Sequence, residues 1–541
     1  MYDDYLSKLN VPDKHRAILY YDAFINCINY IFTTNSDIIN NKIDIISILQ
    51  SLIYELDSLV APIVAYEIAR ARQRGMLKGR SPSNRYRSFF LEKDGSLAKA
   101  LVNSLRGYKS TVNTIIDTVL CNTARNLQEA HTRLQQDRPM LARSPFNIHP
   151  RDQLIRIEPL GGDKHNSGRT PLLMVFRSGI KIVYKPSIVN PGAAIRAVLK
   201  EIEAQAKFKI YIPYHLHKNG YSWAQFIEKR NAKSLNAIHN FYFRAGVLAA
   251  ILDFMLFVDG NEENILASGE YPVLVDIETF FHPIGSTVTP KNRTALDTGL
   301  FGSKSGGRLE LPGIGRAVSA GAFSIPTVHR ASLLTPVVAE ERTDNIHIRF
   351  IGAPAPDAAS VPYLSGRPQY PHHFVNHILR GYWAGSGAVS DMSQGTIRRM
   401  IASISRKGCT ARVVLRPTTF YEGLLKTLQQ PHYLQLNEQG RPAVIRRRLL
   451  KHNISNYSDF ILAQELSELA RFDVPYFFMN CHETTICSAS GKCEDGYYDE
   501  PPIHGLLPSW RRFTPAYRMA AMSEIKQAVL STAAHDHGQH R

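Results

Sequence analysis

Residues 257–283, FVDGNEENILASGEYPVLVDIETFFHP, set Asp259, Asn264, Asp276 and Glu278 around two short apolar runs. An Asp followed five residues later by an Asn is the spacing at which one side chain engages a hydroxyl and the other holds a magnesium ion. Such a pair needs a second metal carboxylate soon after it. Ser268-Gly269-Glu270 reads as a hairpin turn, and the β-rich YPVLV run behind it delivers Asp276 and then Glu278. The stretch therefore predicts two short strands that carry phosphoryl-transfer chemistry, and the rest of the chain is read for the parts such chemistry requires.

Upstream, from about Ile148, the texture is one of short alternating runs: DQLIRIEPL, TPLLMVFRSG and IKIVYKPS, separated by GGDKHNSGR and by Ser178-Gly179. These read as antiparallel strands. A helical period follows over Asn190 to Phe208. Strands followed by a helix is the order of a kinase small lobe, and Lys185, at the end of the third run, stands where a kinase lysine reaches nucleotide phosphates. Ser234 to Phe257 is a long apolar helix leading into the opening stretch, and it reads as the core of a larger lobe. Pro283 to Ala358, rich in Gly, Ser and Thr, occupies the place of an activation segment. Beyond it the sequence predicts a helix over Ser390 to Arg406, with Ser390 as N-cap and Gly408 as stop. A strand over Ala411 to Leu415, helices over Tyr457 to Arg471 and Arg518 to Ala534, and a polar tail over His535 to Arg541 complete this part. Residues 1 to about 140 read as helices, with periodic apolar positions in Ile39 to Ala71 and Leu97 to Leu134 and a loop over Gly75 to Asn84. The expected fold is α+β: a helical N-terminal region (1–147), a small kinase-like lobe (148–230) and a larger lobe (231–541).

The 541 residues carry 64 Lys and Arg against 47 Asp and Glu, a formal charge of +17 concentrated partly in Arg70 to Arg87 and in Arg446-Arg447-Arg448. Such runs are most often solvated faces; a partner for them would be a polyanion or an acidic polypeptide. Nucleic acid is disfavoured, because no basic run is interleaved with stacking aromatics. The apolar run Gly246 to Val258 contains Asp253 and is shorter than a membrane-spanning helix, and the opening MYDDYLSKLN is no secretory signal. A cytoplasmic protein with no stable membrane insertion is expected. Six cysteines without a CxxC pair predict reduced thiols, and the six-residue spacing of Cys481, Cys487 and Cys493 is too wide for a typical zinc site.

Four blocks in order carry a family resemblance: Gly162-Asp163-Lys164-His165 with Gly168; Tyr184-Lys185-Pro186; the opening stretch through Glu278-Thr279-Phe280-Phe281-His282-Pro283; and Arg412 to Tyr421, RVVLRPTTFY, followed by Asp473-Val474-Pro475-Tyr476-Phe477. From about residue 148 to 478 the chain resembles the dehydratase domain of the class II lanthipeptide synthetases, the LanM family. The resemblance implies a kinase-like enzyme that uses ATP and Mg2+ to phosphorylate Ser and Thr of a precursor peptide. It then eliminates the phosphate to leave dehydroalanine or dehydrobutyrine.

Mapped by motif, the resemblance gives Asp259 to the substrate hydroxyl, Lys185, Asn264, Asp276 and Glu278 to the nucleotide, and Asn264 and Asp276 to the metal. Asp163, His165, Arg412 and Thr418 fall to elimination, which needs a base for the α-proton and cations for the departing phosphate. Read singly, Asp163 and His165 are ordinary turn residues and Lys185 a surface lysine. The family's histidine two residues after the catalytic aspartate is Asn261 here, and its glutamate in the Tyr221 to Phe226 run is Gln225, which would leave Lys185 less well held. Full-length members continue into a zinc cyclase domain, so a separate cyclase is an expected partner beside a precursor with an acidic leader. Two alternatives stay open: a kinase-fold phosphotransferase or nucleotidyltransferase that performs no elimination, and a non-catalytic peptide-binding relic.

Overall fold

The computed structural model describes residues 7–34, 38, 40, 42–206, 208–284, 293–301, 309–311, 315–317, 322–323, 334–352, 359–436, 440–452, 454 and 457–534. Half of the 283–358 segment with its activation-type reading, and the tail 535–541, lie outside these residues.

The N-terminal region is helical, as its periodicity predicts. Helices α1 (Tyr21–Thr34), α2 (Ile46–Gln73), α3 (Pro82–Phe90) and α4 (Lys109–Leu141) bury one stripe each. In α2 the stripe is Leu49, Leu52, Ile53, Leu56, Val60 and Ile63, the i, i+3, i+4 recurrence of a core-facing helix. The predicted 75–84 loop is shorter than expected: Ser81 accepts from the Asn84 amide as N-cap and Pro82 opens α3, both favoured at a helix start. Helix α2 is long and apolar enough to cross a membrane by composition, and it is mostly buried within the protein.

The three predicted strands are present as β1 (Leu154–Pro159), β2 (Leu172–Phe176) and β3 (Lys181–Lys185). They are followed by α5 (Gly192–Gln205), and two further strands, β4 (His215–Lys218) and β5 (Tyr221–Gln225), complete an antiparallel sheet of order β1-β2-β3-β5-β4. One face of the sheet buries Leu154, Met174, Ile182, Tyr184 and Trp223 against α1, α2 and α4. Asp137 on α4 locks that contact by accepting from Tyr221 Oη at 2.7 Å and Trp223 Nε1 at 2.8 Å, with Lys218 Nζ at 2.8 Å. The opposite face carries Val183, Lys185, Ser222, Ala224, His215 and His217, because residues directly paired across antiparallel strands share a face.

The remaining body is organised on α6 (Leu235–Phe254), capped by the Ser234 hydroxyl and buried along its length. Its C-terminus feeds the hairpin β6 (Ile265–Ser268) and β7 (Tyr271–Leu274) predicted from the opening stretch. A second hairpin, β8 (Leu334–Ala339) and β9 (His347–Gly352), reaches back to the N-terminal helices: Ile346 packs with Tyr86, Phe89 and Phe90, and Arg85 donates to Asp344 at 2.7 Å. Part of the basic run is thus neutralised within the protein.

Helix α7 (Val375–Ser390) packs along α6, and α8 (Gln394–Lys407) follows. The predicted cap is corrected here: Ser390 ends α7, and Ser393 caps α8 by accepting from the Thr396 amide. Gly408 stops α8 at φ 63° as expected. The last unit contains β10 (Thr410–Val413), α9 (Thr418–Leu428), α10 (Gly440–Lys451) and α11 (Asp459–Ala470). Strands β11 (Phe477–Asn480), β12 (Ile486–Ser488) and β13 (Cys493–Glu494) continue the sheet from β10, before α12 (Leu506–Arg512) and α13 (Pro515–Ala534). The expectation of reduced thiols fails at one pair. β12 and β13 place Cys487 directly opposite Cys493, with Cα atoms 4.1 Å apart, and the two are joined by a disulfide.

Candidate active site

The stretch that opens the site is shaped by local polar bonds. Asp259 takes φ 73°, a left-handed conformation uncommon for a residue with a side chain and held only when its surroundings enforce it. Asn264 Nδ2 donates to the Asp259 carbonyl at 2.9 Å and to its carboxylate at 3.2 Å. Asn261 Nδ2 donates to the other carboxylate oxygen at 3.0 Å, while Asn261 Oδ1 accepts the amides of Glu263 and Asn264. Asn261 is therefore the turn-forming residue that holds Asp259, a role its short amide fills because it donates and accepts at once.

Across the cleft, Lys185 Nζ donates to the Val275 carbonyl at 2.9 Å and lies 3.6 Å from Asp276 Oδ1. The lysine is thus held by the end of the β7 run. Gln225 has no part in this. Lys185 pairs across the sheet with Ser222, Gln225 pairs with Ile182, and the Gln225 side chain accepts from the Tyr214 amide at 2.9 Å. The expectation that Gln225 weakens the hold on Lys185 is overturned by strand register.

Arg412 comes from β10, whose amide donates to the Glu278 carbonyl at 2.8 Å and so stitches the third motif block to the fourth. Two residues on, the Val414 amide donates to His282 Nε2 at 3.0 Å, which gives the buried histidine of FFHP a structural purpose. The Arg412 guanidinium lies 3.9 Å from Glu278 and 4.9 Å above the Tyr476 ring, and Tyr476 Oη donates to Glu278 at 3.1 Å. Arg412 Nη2 meets His165 Nε2 at 3.2 Å. His165 Nδ1 faces the Val474 carbonyl at 3.0 Å, so the imidazole donates there and accepts from Arg412. Burial and the Arg412 charge push its pKa down to about 3, which keeps it neutral. Asp163 is 3.9 Å from the ring, too far for a hydrogen bond, so His165 positions Arg412 more directly than it exchanges protons with Asp163.

The loop bearing Asp163 and His165 is held from outside. Asp473 accepts the Ser167 amide and, at 3.0 Å, the Gly168 amide, and the Val474 amide donates to the Lys164 carbonyl at 2.9 Å. Gly168 sits at φ 69°, where a Cβ would stand 2.5 Å from Asn122, so no other residue fits. Asp163 itself meets the first turn of α9. Burial works to raise its pKa, but hydrogen bonds with Glu422 and Thr418 and the charge of Arg412 leave it lowered. Glu422, one turn beyond Thr418, is pushed up to about 7 by burial and by Asp163. Two carboxyls that share a contact share a proton. Glu422 carried no motif signal; its i, i+4 spacing from Thr418 was the one clue.

All the expected site residues thus converge between the β-sheet, the β6–β7 hairpin and β10. The acidic members are short of positive charge. Burial raises Asp259 to about 7, with Asp276 and Asp163 adding and Arg412 opposing; burial and then Asp276 raise Glu278 as well. Oxygen donors under this strain suit a hard divalent cation. Among the described residues no group of three His, Cys, Asp or Glu side chains is placed to hold a metal ion.

The fold and site define an α+β protein whose buried cleft sets a lysine and an arginine against a carboxylate cluster. The chain belongs to the family described as domain of unknown function DUF4135, which matches residues 110–480. It is 22% identical over 502 residues to the lacticin 481/lactococcin biosynthesis protein LcnDR2 of Lactococcus lactis subsp. lactis, covering 85% of this chain and 49% of that protein. The chain spans about half the length of this curated relative. The resemblance to LanM proteins read from the four blocks is borne out.

Proposed function

We propose that this protein is an ATP- and magnesium-dependent dehydratase of Ser and Thr in a lanthipeptide precursor, with a kinase-like arrangement of small sheet and larger body. The observation that carries the reading is that Lys185 and Arg412, the two phosphate-binding cations, stand against neighbouring carboxylates, Asp276 at 3.6 Å and Glu278 at 3.9 Å. In this reading one phosphate is handled first by Lys185 and then by Arg412 within the same cleft. In the first step Lys185 would orient nucleotide phosphates, Asn264 and Asp276 would hold magnesium, and Asp259 would accept the hydroxyl proton of the substrate. Magnesium held by Asn264 and Asp276 would supply positive charge for the transferred phosphoryl group. In the second step Arg412, aimed by His165 and Glu278, binds the phosphate as a two-pronged donor. A base removes the α-proton, its electron pair forms the Cα=Cβ bond, and the Cβ–O bond breaks to release inorganic phosphate. The relative's printed role in lacticin 481/lactococcin biosynthesis supports a peptide substrate. An acidic leader on that peptide and a separate cyclase complete the proposal.

Incubation of the protein with magnesium ATP and a precursor peptide, read by intact mass, tests it. Loss of water is expected. A stable phosphate or nucleotide adduct would instead favour a phosphotransferase or nucleotidyltransferase, and an unchanged peptide that still binds would favour a relic. Arg412→Ala is expected to accumulate phosphopeptide; an Arg412→Ala protein that modifies nothing removes Arg412 from the second step.

A further inference from the structure

Beside Lys185, on the same face of the sheet, lies a cluster of nitrogen donors that the dehydratase reading leaves without a role. The pairings Lys185 with Ser222 and Ser222 with His217 set these three residues in one row across β3, β5 and β4. Val183, Ala224 and His215 form the next row. Two strand spacings, about 10 Å, separate the backbones of Lys185 and His217.

His215 is 2% exposed, and its Nε2 is buried without a hydrogen-bond partner; both ring nitrogens of His217 are buried and unpartnered as well. Buried polar atoms of this kind are ordinarily satisfied, so three in two adjacent rings mark a place where a ligand or water completes the structure. The N-terminus of the 14-residue α5 abuts the same spot. Gly192, its first residue, leaves so little room that a Cβ there would stand 2.6 Å from His217 Nε2 and 3.5 Å from Arg196 Nη1. The first turn of α5 has no side-chain cap and no acidic residue, so its amides and the positive end of its dipole are uncompensated. Arg196 stacks over Tyr214 at 4.8 Å and stays open to solvent. Among the described residues no carboxylate pairs with Arg196, His215 or His217, although elsewhere in the cleft Lys185 and Arg412 both have one.

We propose that the α5 N-terminus, Arg196, His215 and His217 form a phosphate-binding pocket adjoining Lys185. Its ligand class is a phosphate oxyanion, supplied either by the phosphate chain of a nucleotide or by free inorganic phosphate. The imidazoles are neutral donors there, since burial first and then the charges of Lys185 and Arg196 hold both below the ordinary histidine range. Charge comes from Arg196 and the helix, and Arg196 is exposed to solvent. The pocket stands on its own geometry and does not depend on peptide dehydration.

Calorimetric titration of the full chain with inorganic phosphate tests the pocket, with Arg196→Gln and His217→Leu as variants and thermal melts as a folding control. Saturable binding is expected in the unmodified protein, weakened at least tenfold by each variant. Arg196 is exposed, so Arg196→Gln is expected to melt normally even if His217→Leu does not. Repeating the titration with a saturating non-hydrolysable ATP analogue and magnesium separates the sources. Loss of phosphate binding assigns the pocket to the nucleotide, and persistence assigns it to free phosphate. No saturable binding, or phosphate affinity unchanged in a folded Arg196→Gln protein, overturns the proposal. Because no peptide is present, a failed dehydration assay leaves these outcomes untouched.

Discussion

Glu422 and Asp163 show how a site residue can be invisible in sequence. Asp163 lies in a turn-forming block and Thr418 in a motif, yet the carboxyl that completes them is an unremarked helix residue 259 positions from Asp163 in the chain. Their contact makes a prediction. Below about pH 7 Glu422 holds the shared proton and donates to Asp163, which stays ionised. Glu422→Gln keeps a donor in place and is expected to leave elimination within about threefold of the original. Glu422→Ala removes it and is expected to slow elimination about tenfold, the worth of one hydrogen bond to a charged group, with phosphorylation unchanged. The fraction of phosphopeptide during a time course measures both. Equal effects of the two variants would show that no proton is shared. Asn261 teaches the converse lesson: its departure from the family pattern was legible, but its bonds to Asp259 and to two amides were not, because turn geometry depends on φ values that residue names do not state.

Among the elements, those with strong periodicity were legible and those defined by partners were not. β1 to β3 alternate or run apolar between turn signals, and α6 carries a 20-residue apolar pattern with Ser234 as cap. β4, with two histidines and a lysine in four residues, has no strand signature; pairing with β5 makes it one. The α6–α7 contact was also hidden, since it rests on glycine. A Cβ on Gly246 would lie 1.9 Å from the Ile378 carbonyl oxygen, and one on Gly381 would lie 1.9 Å from the Phe243 carbonyl oxygen. The two backbones therefore touch, and each glycine makes room for the other helix. Alanine is the better helix former by about 1 kcal/mol, so propensity alone predicts that Gly246→Ala stabilises the protein. Overpacking reverses the sign: Gly246→Ala is expected to cost about 3 kcal/mol or more, seen as a lower denaturation midpoint in urea. A neutral or stabilised variant would mean that the helices separate freely. Since α6 feeds directly into Asp259, the same variant is expected to lose phosphorylation before it loses fold.

At the scale of the whole molecule, the site exists because distant segments are fastened at buried charges, and these charges carry a cost that pH reveals. The 161–168 loop follows β1, whose sheet packs on the N-terminal helices, yet its amides are held by Asp473, just past the end of α11. Contacts across some 300 residues cannot be read from local pattern, so the sequence located both blocks without joining them. Burial pushes Asp473 up to about 6 and the adjacent Glu468 up to about 7, the latter with help from Asp473. Glu468 is buried in the last turn of α11, where the helix dipole also disfavours an anion. Its folded pKa lies above the unfolded value of about 4.5. Between those values the folded state binds more protons than the unfolded chain, so the contribution to stability is full below about pH 4.5 and falls as pH rises through about 7. Glu468→Gln removes that dependence while keeping the side chain's shape. It is expected to stabilise the protein at pH 8 by on the order of 2 kcal/mol and to change little at pH 5, measured by urea denaturation at the two values. The Asp473 carboxylate still accepts the loop amides in this variant, so elimination is expected to persist. Equal stabilisation at both pH values would show that Glu468 ionises freely in the folded protein.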